Sequence, residues 1–251
     1  MRILLTVHRF LPEFSAGTEI LTFDTARQLI ARGHQVAVFT GIQDPAGLKD
    51  EQRFDRYTYE GSPVERCHYS RVPMGGSDNI MELEYNNPFL AAHFRRYLES
   101  FKPDVVHFFH LQKLSASPID VCHELGIPMV MTPTDFWLVC PLSQLRLPDN
   151  SPCSGPDAEG VNCLRHVVVL SQTPMISALF SALPDRLLAA AMRRIRDGGL
   201  RRLRVASHVK ALGARPEFLR KRMNLLDRVL VPSRLMEATL LRHGLEPGKV
   251  V

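Results

Sequence analysis

Cysteine and long hydrophobic runs are both scarce in this sequence. Five cysteines in 251 residues, an odd number, do not form a disulfide scaffold and fit a reducing compartment. The apolar run at residues 3–7 ends at His8 and Arg9, so it is too short for a signal peptide. The uncharged stretch at residues 166–184 contains prolines and three serines, which makes it a poor membrane span. We therefore expect a cytoplasmic protein.

A strong overall charge is also lacking, because 31 Lys and Arg residues oppose 26 Asp and Glu residues, for a formal net charge of +5. The positive charge is local: residues 185–222 hold twelve Lys and Arg but only three acids, so the remainder of the chain is net negative. Aromatic residues do not interleave with these cations, and we expect no nucleic-acid partner. The basic segment is either a solvated or domain-paired helix face, or a contact with an anionic membrane surface.

The order of the sequence patterns predicts an α/β fold. Short apolar runs typical of buried parallel strands alternate with helical patterns. The predicted strands are residues 2–7, 34–40, 63–72, 105–109, 127–132 and 228–231. This alternation predicts a Rossmann-like, doubly wound parallel sheet with helices on both faces. It stops between residues 138 and 226, where we expect a basic, helical, cysteine-containing insertion within a single domain of residues 1–251. An interdomain linker would begin at about 244–251.

Ligands of open α/β sheets bind beyond the carboxyl ends of the strands. Here these ends are the loops at residues 8–19, 107–114, 133–141 and 231–234. In the first loop, Ala16, Gly17 and Thr18 open a helix whose free N–H groups, next to a glycine, would let a phosphate approach the backbone. The loop is not G-x-G-x-x-G, so the dinucleotide fingerprint is excluded. The alternative interpretation is a tight turn.

The later loops carry further candidate ligand-binding residues. His107 and His110 lie at a strand end, where a histidine can orient a hydroxyl or stabilise charge; the alternative is a histidine of the core. Asp135 would bind sugar hydroxyls, and Trp137, the only tryptophan, would stack on a sugar face. Their alternatives are a loop-capping carboxylate and a structural ring. The remaining cleft candidates are Phe109 and Ser233.

Three cysteines and a histidine have the spacing of a metal site. Cys140-x12-Cys153-x9-Cys163-x2-His166 offers four ligands for a structural zinc ion, and the final C-x-x-H interval suits one. The first two intervals are long and the loop contains several prolines, so the alternative is that the cysteines are unpaired structural residues. A bound zinc would pin the insertion rather than take part in chemistry.

Taken in order, the loop motifs resemble the N-terminal domain of glycosyltransferase family 4, whose enzymes have the GT-B fold. The segments that carry the resemblance extend over the whole chain: 12–19 (PEFSAGTE), 32–36 (RGHQV), 102–107 (KPDVVH), 126–128 (GIP), 135–137 (DFW) with 140–141 (CP), and 227–233 (DRVLVPS). Three positions depart from the family pattern. Ala16 replaces a glycine, Phe109 replaces a histidine, and Thr134 stands where the family has a histidine before the aspartate.

The resemblance implies a retaining transfer of a sugar, of the hexosyltransferase type, from a nucleotide-sugar to an acceptor hydroxyl in glycan or glycolipid assembly. This domain would bind the sugar or lipid-linked acceptor, with His107, His110 and Asp135 at the reacting sugar and residues 16–18 at the donor phosphates. The C-terminal GT-B domain that would bind the nucleotide is not in this sequence, so we expect the chain alone to be incomplete and inactive. The chemistry would require no cofactor.

Two other classes of function remain open. Phe109 and Thr134, at positions where the family has histidines, favour a non-catalytic GT-B-like module for binding or assembly. The basic segment and the cysteines together favour a metal-stabilised adaptor at a membrane surface, peripheral to its inner face.

Overall fold

The computed structural model describes residues 1–44, 47–70, 74–147, 149–157, 159–171, 182–197 and 204–251, and the single positions 175, 178 and 180. The chain divides into two compact units. The first, which we call the sheet unit, comprises residues 1–135 and 221–251. The second, the helical unit, comprises residues 136–220. An insertion is predicted at residues 138–226, and the end of that range belongs to the sheet unit.

The sheet unit is built on one seven-stranded sheet in the order β3-β4-β2-β1-β5-β6-β7. The strands are β1 (Arg2–Val7), β2 (Gln35–Gln43), β3 (Phe54–Tyr59), β4 (Ser62–Tyr69), β5 (Val105–Phe108), β6 (Met129–Met131) and β7 (Arg228–Val229). Every neighbouring pair is parallel except β3 with β4. The α/β fold with a Rossmann-like, mostly parallel sheet, predicted from the alternation of patterns, is confirmed.

The antiparallel edge strand β3 was not predicted. Its residues alternate between half-buried and exposed positions, so it has no apolar run of the kind that indicates a buried strand. Glu60 and Gly61 both have positive φ and form the two-residue connection to β4. Such a turn matches the right-handed twist of an antiparallel hairpin. The hairpin therefore depends on local turn geometry more than on hydrophobic periodicity.

Helices cover both faces of the sheet. They are α1 (Gly17–Ala31), α2 (Ile80–Leu83), α3 (Pro88–Phe101), α4 (Ser117–Glu124) and, near the end of the chain, α8 (Arg234–Arg242). Side chains of a strand alternate between faces. Accordingly Leu5 of β1 packs in one core cluster with Ala26 of α1, whereas Phe39 of β2 contacts Phe94 of α3 edge-on, with ring centroids 4.9 Å apart. This arrangement confirms the doubly wound architecture.

The helical unit has its own core. Its helices are α5 (Val161–Ser171), α6 (Asp185–Arg196) and α7 (Arg204–Met223), of which the last three residues belong to the sheet unit. Leu164, Leu188, Met192 and Leu212 pack together, one or two from each helix. The paired glycines Gly198 and Gly199 predict a helix break within the basic segment, and this position falls outside the described residues. None of the helices in the described ranges is long and apolar enough to cross a membrane.

Candidate functional site

The carboxyl ends of β1, β5 and β6 lie at one edge of the sheet because these strands are parallel neighbours. His8 follows β1 directly, His110 lies two residues beyond β5, and Asp135 lies four residues beyond β6. Residues far apart in the sequence are therefore close in space at the edge where open α/β sheets bind their ligands. Two of the three predicted catalytic residues, His110 and Asp135, are in direct contact there.

The contact between His110 and Asp135 is a short hydrogen bond, with 2.5 Å between His110 Nε2 and Asp135 Oδ2. The backbone N–H of Gln112 donates to His110 Nδ1 at 3.1 Å, so Nδ1 is an acceptor. Nε2 consequently carries the proton that is donated to Asp135. The imidazole is buried, and the carboxylate is one-third exposed at 33%. The pair thus presents an oriented carboxylate at the surface of the sheet edge.

A second histidine and a buried carboxylate extend this cluster. The ring of His8 lies 4.2 Å from that of His110, and its Nε2 is 3.7 Å from Glu19 Oε1, which is longer than a hydrogen bond. Burial, and then electrostatic interactions with His110, Lys113 and Arg9, lower the pKa of His8 to about 3. His8 is therefore neutral at physiological pH. Among the described residues, Glu19 Oε2 and His8 Nδ1 are buried atoms without a hydrogen-bond partner, which is uncommon in folded proteins.

The N-terminus of α1 borders the same group of residues. Ala16 is extended and gives no side-chain cap, so the first N–H groups of the helix are left for another partner. A Cβ built on Gly17 would meet no atom within 4 Å, which shows open space in front of this turn. Thr18 Oγ1 donates to Thr134 Oγ1 at 2.9 Å and so joins the start of α1 to the loop that carries Asp135. Thr134 has a structural function at the position where a histidine was expected.

His107 differs from His110 in its surroundings. It belongs to β5, its Nε2 is 2.8 Å from Thr132 Oγ1, and its ring stacks on Phe109 with centroids 4.2 Å apart. Burial lowers its pKa to about 4. His107 is therefore a neutral, inward-packed histidine of the sheet. This environment agrees better with the core interpretation than with a group that contacts a sugar.

The three other cleft candidates have structural environments. Phe109 is buried in the core cluster beside β1, at 1% exposure, and Trp137 is buried in the helical unit, at 2% exposure. Because of this burial, neither ring offers an open face for stacking. Both were predicted as cleft residues from sequence position alone. Ser233 caps α8, since its Oγ accepts the N–H of Met236 at 3.2 Å. The burial of Phe109 and Trp137 favours the structural interpretation of both rings, and the cleft roles of Phe109, Trp137 and Ser233 stay predictions.

The four predicted zinc ligands all lie in the helical unit. Cys140, Cys153, Cys163 and His166 line one small cavity, and the cysteines are free. Burial, and then the neighbouring thiols of Cys140 and Cys153, raise the pKa of Cys163 to about 12. Within the described part of the chain, no three His, Cys, Asp or Glu side chains are arranged ready to hold a metal ion. The zinc site stays a prediction.

His8, Glu19 and Lys113 were not among the predicted site residues. His8 stands directly after the first buried strand, where it was interpreted only as the end of an apolar run. Glu19 is inside the motif at residues 12–19, but its burial at 2% follows from the packing of α1 and has no mark in the sequence. Position immediately after a strand was the one available signal, and it would have identified His8.

Comparison with known proteins identifies a family. The sequence model described as "Glycosyl transferase 4-like domain" matches residues 16–156, which is more than half of the chain. The match includes Gly17, His110 and Asp135, and it confirms the resemblance found in the sequence. No curated protein sequence is significantly similar to the chain.

Similar solved structures are distant in sequence. Sucrose-phosphate synthase from Thermosynechococcus elongatus is 12% identical with a TM-score of 0.49, and the match covers 100% of this chain and 47% of the synthase chain. UDP-GlcNAc 2-epimerase from Methanocaldococcus jannaschii is 11% identical with a TM-score of 0.43, and the match covers 100% of this chain and 45% of the epimerase chain. The UDP-GlcNAc 2-epimerase from Neisseria meningitidis, bound to UDP-GlcNAc, is 12% identical with a TM-score of 0.41, and the match covers 100% of this chain and 45% of that epimerase chain. The chain thus spans about half the length of these proteins.

We expect His107 to make the stability of the sheet unit depend on pH. Its folded-state pKa of about 4 lies below the ordinary 6.5, so the stabilisation is complete above pH 6.5 and declines as the pH falls toward 4. Between pH 7 and pH 4, the unfolding free energy of the wild type should fall by up to about 3 kcal/mol more than that of His107→Gln, because glutamine cannot titrate. Urea unfolding at both pH values measures this loss.

The matched control is His123→Gln, at an exposed position on α4. It should lose as much stability as the wild type. Equal losses in His107→Gln and the wild type would show that His107 titrates normally in the folded protein.

Proposed function

The chain belongs to the glycosyl transferase 4-like domain family, and from that premise we propose that it is the acceptor-side half of a retaining glycosyltransferase. The enzyme would be of the hexosyltransferase type and transfer a sugar from a nucleotide-sugar to an acceptor hydroxyl, in glycan or glycolipid assembly. The observation that carries the proposal is the position of the His110–Asp135 pair. It lies at the sheet edge that also holds the open N-terminus of α1.

The N-terminus of α1 is the proposed binding site for the donor phosphates. Its unpaired N–H groups and the positive end of the helix dipole favour an anion, and Ala16 and Gly17 are exposed. Gly17 adds no atoms between a phosphate and the backbone. Thr18 fixes the turn through its bond to Thr134, so the N–H groups keep one direction while a ligand binds.

Asp135 is the proposed contact for the acceptor. Its exposed carboxylate would accept a hydrogen bond from the attacking hydroxyl, and His110 would hold the carboxylate in place by donating to it. The buried Glu19 Oε2 is a further acceptor for hydroxyl groups or water near this pair, and His8 Nδ1 is a further polar atom that could bond to them. In the transfer, the bond from the anomeric carbon to the donor phosphate breaks and a bond to the acceptor oxygen forms. The hydroxyl proton leaves with the nucleotide phosphate.

A complete reaction would need a nucleotide-binding domain of the GT-B type in addition to this chain. The chain covers about half of the solved structures that it matches, such as the 47% of sucrose-phosphate synthase. We propose that the missing contacts to the nucleotide come from such a domain and that the chain alone transfers no sugar. The chemistry described for His110 and Asp135 uses no metal or organic cofactor.

Gly17 tests the phosphate position. In the full-length protein, Gly17→Leu should lower the rate of sugar transfer by about 100-fold or more, because the new side chain occupies the space in front of the first turn of α1. Transfer to acceptor is measured with a panel of radiolabelled nucleotide-sugars. Folding should be unchanged, since a Cβ at this glycine meets no protein atom within 4 Å.

Gly248→Leu is the matched control, because a Cβ at Gly248 also meets nothing within 4 Å. It should transfer sugar at the wild-type rate. Wild-type turnover in Gly17→Leu would remove this glycine from the donor site. Failure of the full-length protein to bind any of the nucleotide-sugars would favour the non-catalytic binding or assembly module instead.

Asp135 and His110 test the acceptor position. Asp135→Asn should lower kcat/KM for the acceptor by about 10- to 1,000-fold, since it removes the negative charge and keeps the shape. His110→Gln should lower it less, because the carboxylate remains but loses its fixed direction. Steady-state kinetics with the acceptor varied give these values. Asp24→Asn, at a carboxylate on α1 that is 54% exposed, is the control, and equal rates in all three variants would contradict the assignment.

Contact with an anionic membrane surface is a second proposal, favoured by one face of α6. Arg186 and Arg194 are exposed, and Leu187 between them in the sequence is an apolar residue with 60% exposure. Cations beside an exposed leucine suit the headgroup region of a bilayer. A lipid-linked acceptor would be consistent with this location, peripheral to the inner face of the membrane.

Sedimentation with liposomes tests the membrane contact. The chain should sediment with vesicles that contain anionic phosphatidylglycerol and less with neutral ones, and salt should weaken the binding. Replacing Arg186 and Arg194 by Glu should abolish it. Arg27→Glu, at an arginine of α1 that is 66% exposed, should leave it unchanged. Sedimentation that is the same for all variants would contradict a role for α6.

A further inference from the structure

The cavity in the helical unit brings together residues from three separate pieces of chain. Cys140 lies in the turn after residue 136, Cys153 follows a β-bridge, and Cys163 and His166 belong to α5. Cys163 and His166 are three positions apart on the helix, so they lie on the same face. Nothing in the local sequence alone requires these three pieces to meet at one point.

Hydrogen bonds hold each of these pieces in position. The N–H of Cys140 donates to Phe136 O at 2.7 Å, and the N–H of Cys153 donates to Leu145 O at 2.8 Å. Asp157 caps α5, because its Oδ1 accepts the N–H of Val161 at 2.9 Å. The backbone at all of the candidate ligands is therefore ordered by contacts that do not involve the thiols or the imidazole.

The side-chain amide of Asn162 joins the loop that carries Cys153 to helix α5. Asn162 Nδ2 donates to Gly155 O at 2.6 Å, and Asn162 Oδ1 accepts the N–H of Asp157 at 3.1 Å. Asn162 lies beside Cys163, and Gly155 lies two residues after Cys153. These bonds keep the Cys153 loop against the first turn of α5, so the two cysteines face the same cavity.

A buried cation stands next to the cluster. Arg215 of α7 is 2% exposed, and its Nη2 donates to Trp137 O at 2.5 Å, three residues before Cys140. A positive charge at this point favours thiolates. Three thiolates, one neutral imidazole and Zn²⁺ carry one net negative charge, which a neighbouring guanidinium would offset.

The size of the cavity restricts its occupant. Its free volume is about 10 Å³, which is enough for about one water-sized group. A sugar, nucleotide or other organic ligand is too large. Three thiols and an imidazole are the ligand set that proteins use for structural zinc, and the C-x-x-H pair on a helix has the spacing of such sites.

We propose that Cys140, Cys153, Cys163 and His166 bind one structural Zn²⁺ ion, which fixes the turn, the β-bridged loop and α5 of the helical unit to one another. The side chains face one cavity and would converge when the metal displaces the protons of the thiols. The proposal is independent of the sugar-transfer function. It assigns the cysteines to the stability of the helical unit.

Metal content and cobalt substitution test the proposal. The chain purified from zinc-supplemented cells should contain one zinc ion by mass spectrometry of the metal. With Co²⁺ in place of zinc, it should show thiolate-to-cobalt charge-transfer bands and the visible bands of a tetrahedral site. Cys163→Ser and His166→Gln should lose the bound metal on dialysis against a chelator. Thermal unfolding should shift to lower temperature when the wild type is stripped of metal.

Two variants keep the test decisive if a cysteine substitution harms folding. His166→Cys preserves a four-ligand set, so it should retain one zinc and move the cobalt spectrum toward that of a four-sulfur site. Cys122→Ala removes a buried cysteine of the sheet unit and should retain the metal. A wild-type chain with no bound zinc or cobalt would overturn the proposal. Two fewer free thiols than the five in the sequence would do so as well, since that result indicates a disulfide.

Discussion

The parallel pairing of β1, β5 and β6 is the constraint on which the candidate site depends. Because these strands run in the same direction, the residues that follow them meet at one edge, although His8, His110 and Asp135 are far apart in the sequence. The hydrogen bond from His110 to Asp135 and the bond from Thr18 to Thr134 then join the loops across this edge. The uncapped N-terminus of α1 and an oriented carboxylate thereby become neighbours without either lying in a regular strand.

The histidines of this edge differ in their partners. His8 and His107 are held neutral, with pKa values lowered to about 3 and about 4, because the folded chain desolvates them. His110 is also buried, and it donates to a carboxylate. Two of the three histidines are thus desolvated by packing, and the third orients the carboxylate of Asp135. Its partners decide the difference, and its place after a strand does not.

The helical unit is stabilised in a different way from the sheet unit. Its core is small, and part of its order comes from polar groups: Arg215 donates to backbone carbonyls at Trp137 and Val139, and Asp157 caps α5. A small hydrophobic core leaves little reserve of stability, and a bound metal would add folding free energy to the unit. The cysteine cavity lies where the turn, the loop and the helix meet, and a metal bound there would fix all three.

Local patterns determined the fold class, six of the seven described strands and the family, because hydrophobic periodicity and loop motifs are properties of short segments. They also indicated His110, Asp135 and Gly17, since position after a strand places a residue at the ligand edge. Only the tertiary structure decided that Phe109 and Trp137 are buried, that Thr134 pairs with Thr18, and that Glu19 and His8 join the cluster. Exposure and partnership arise between segments distant in the chain, and no single segment contains that information.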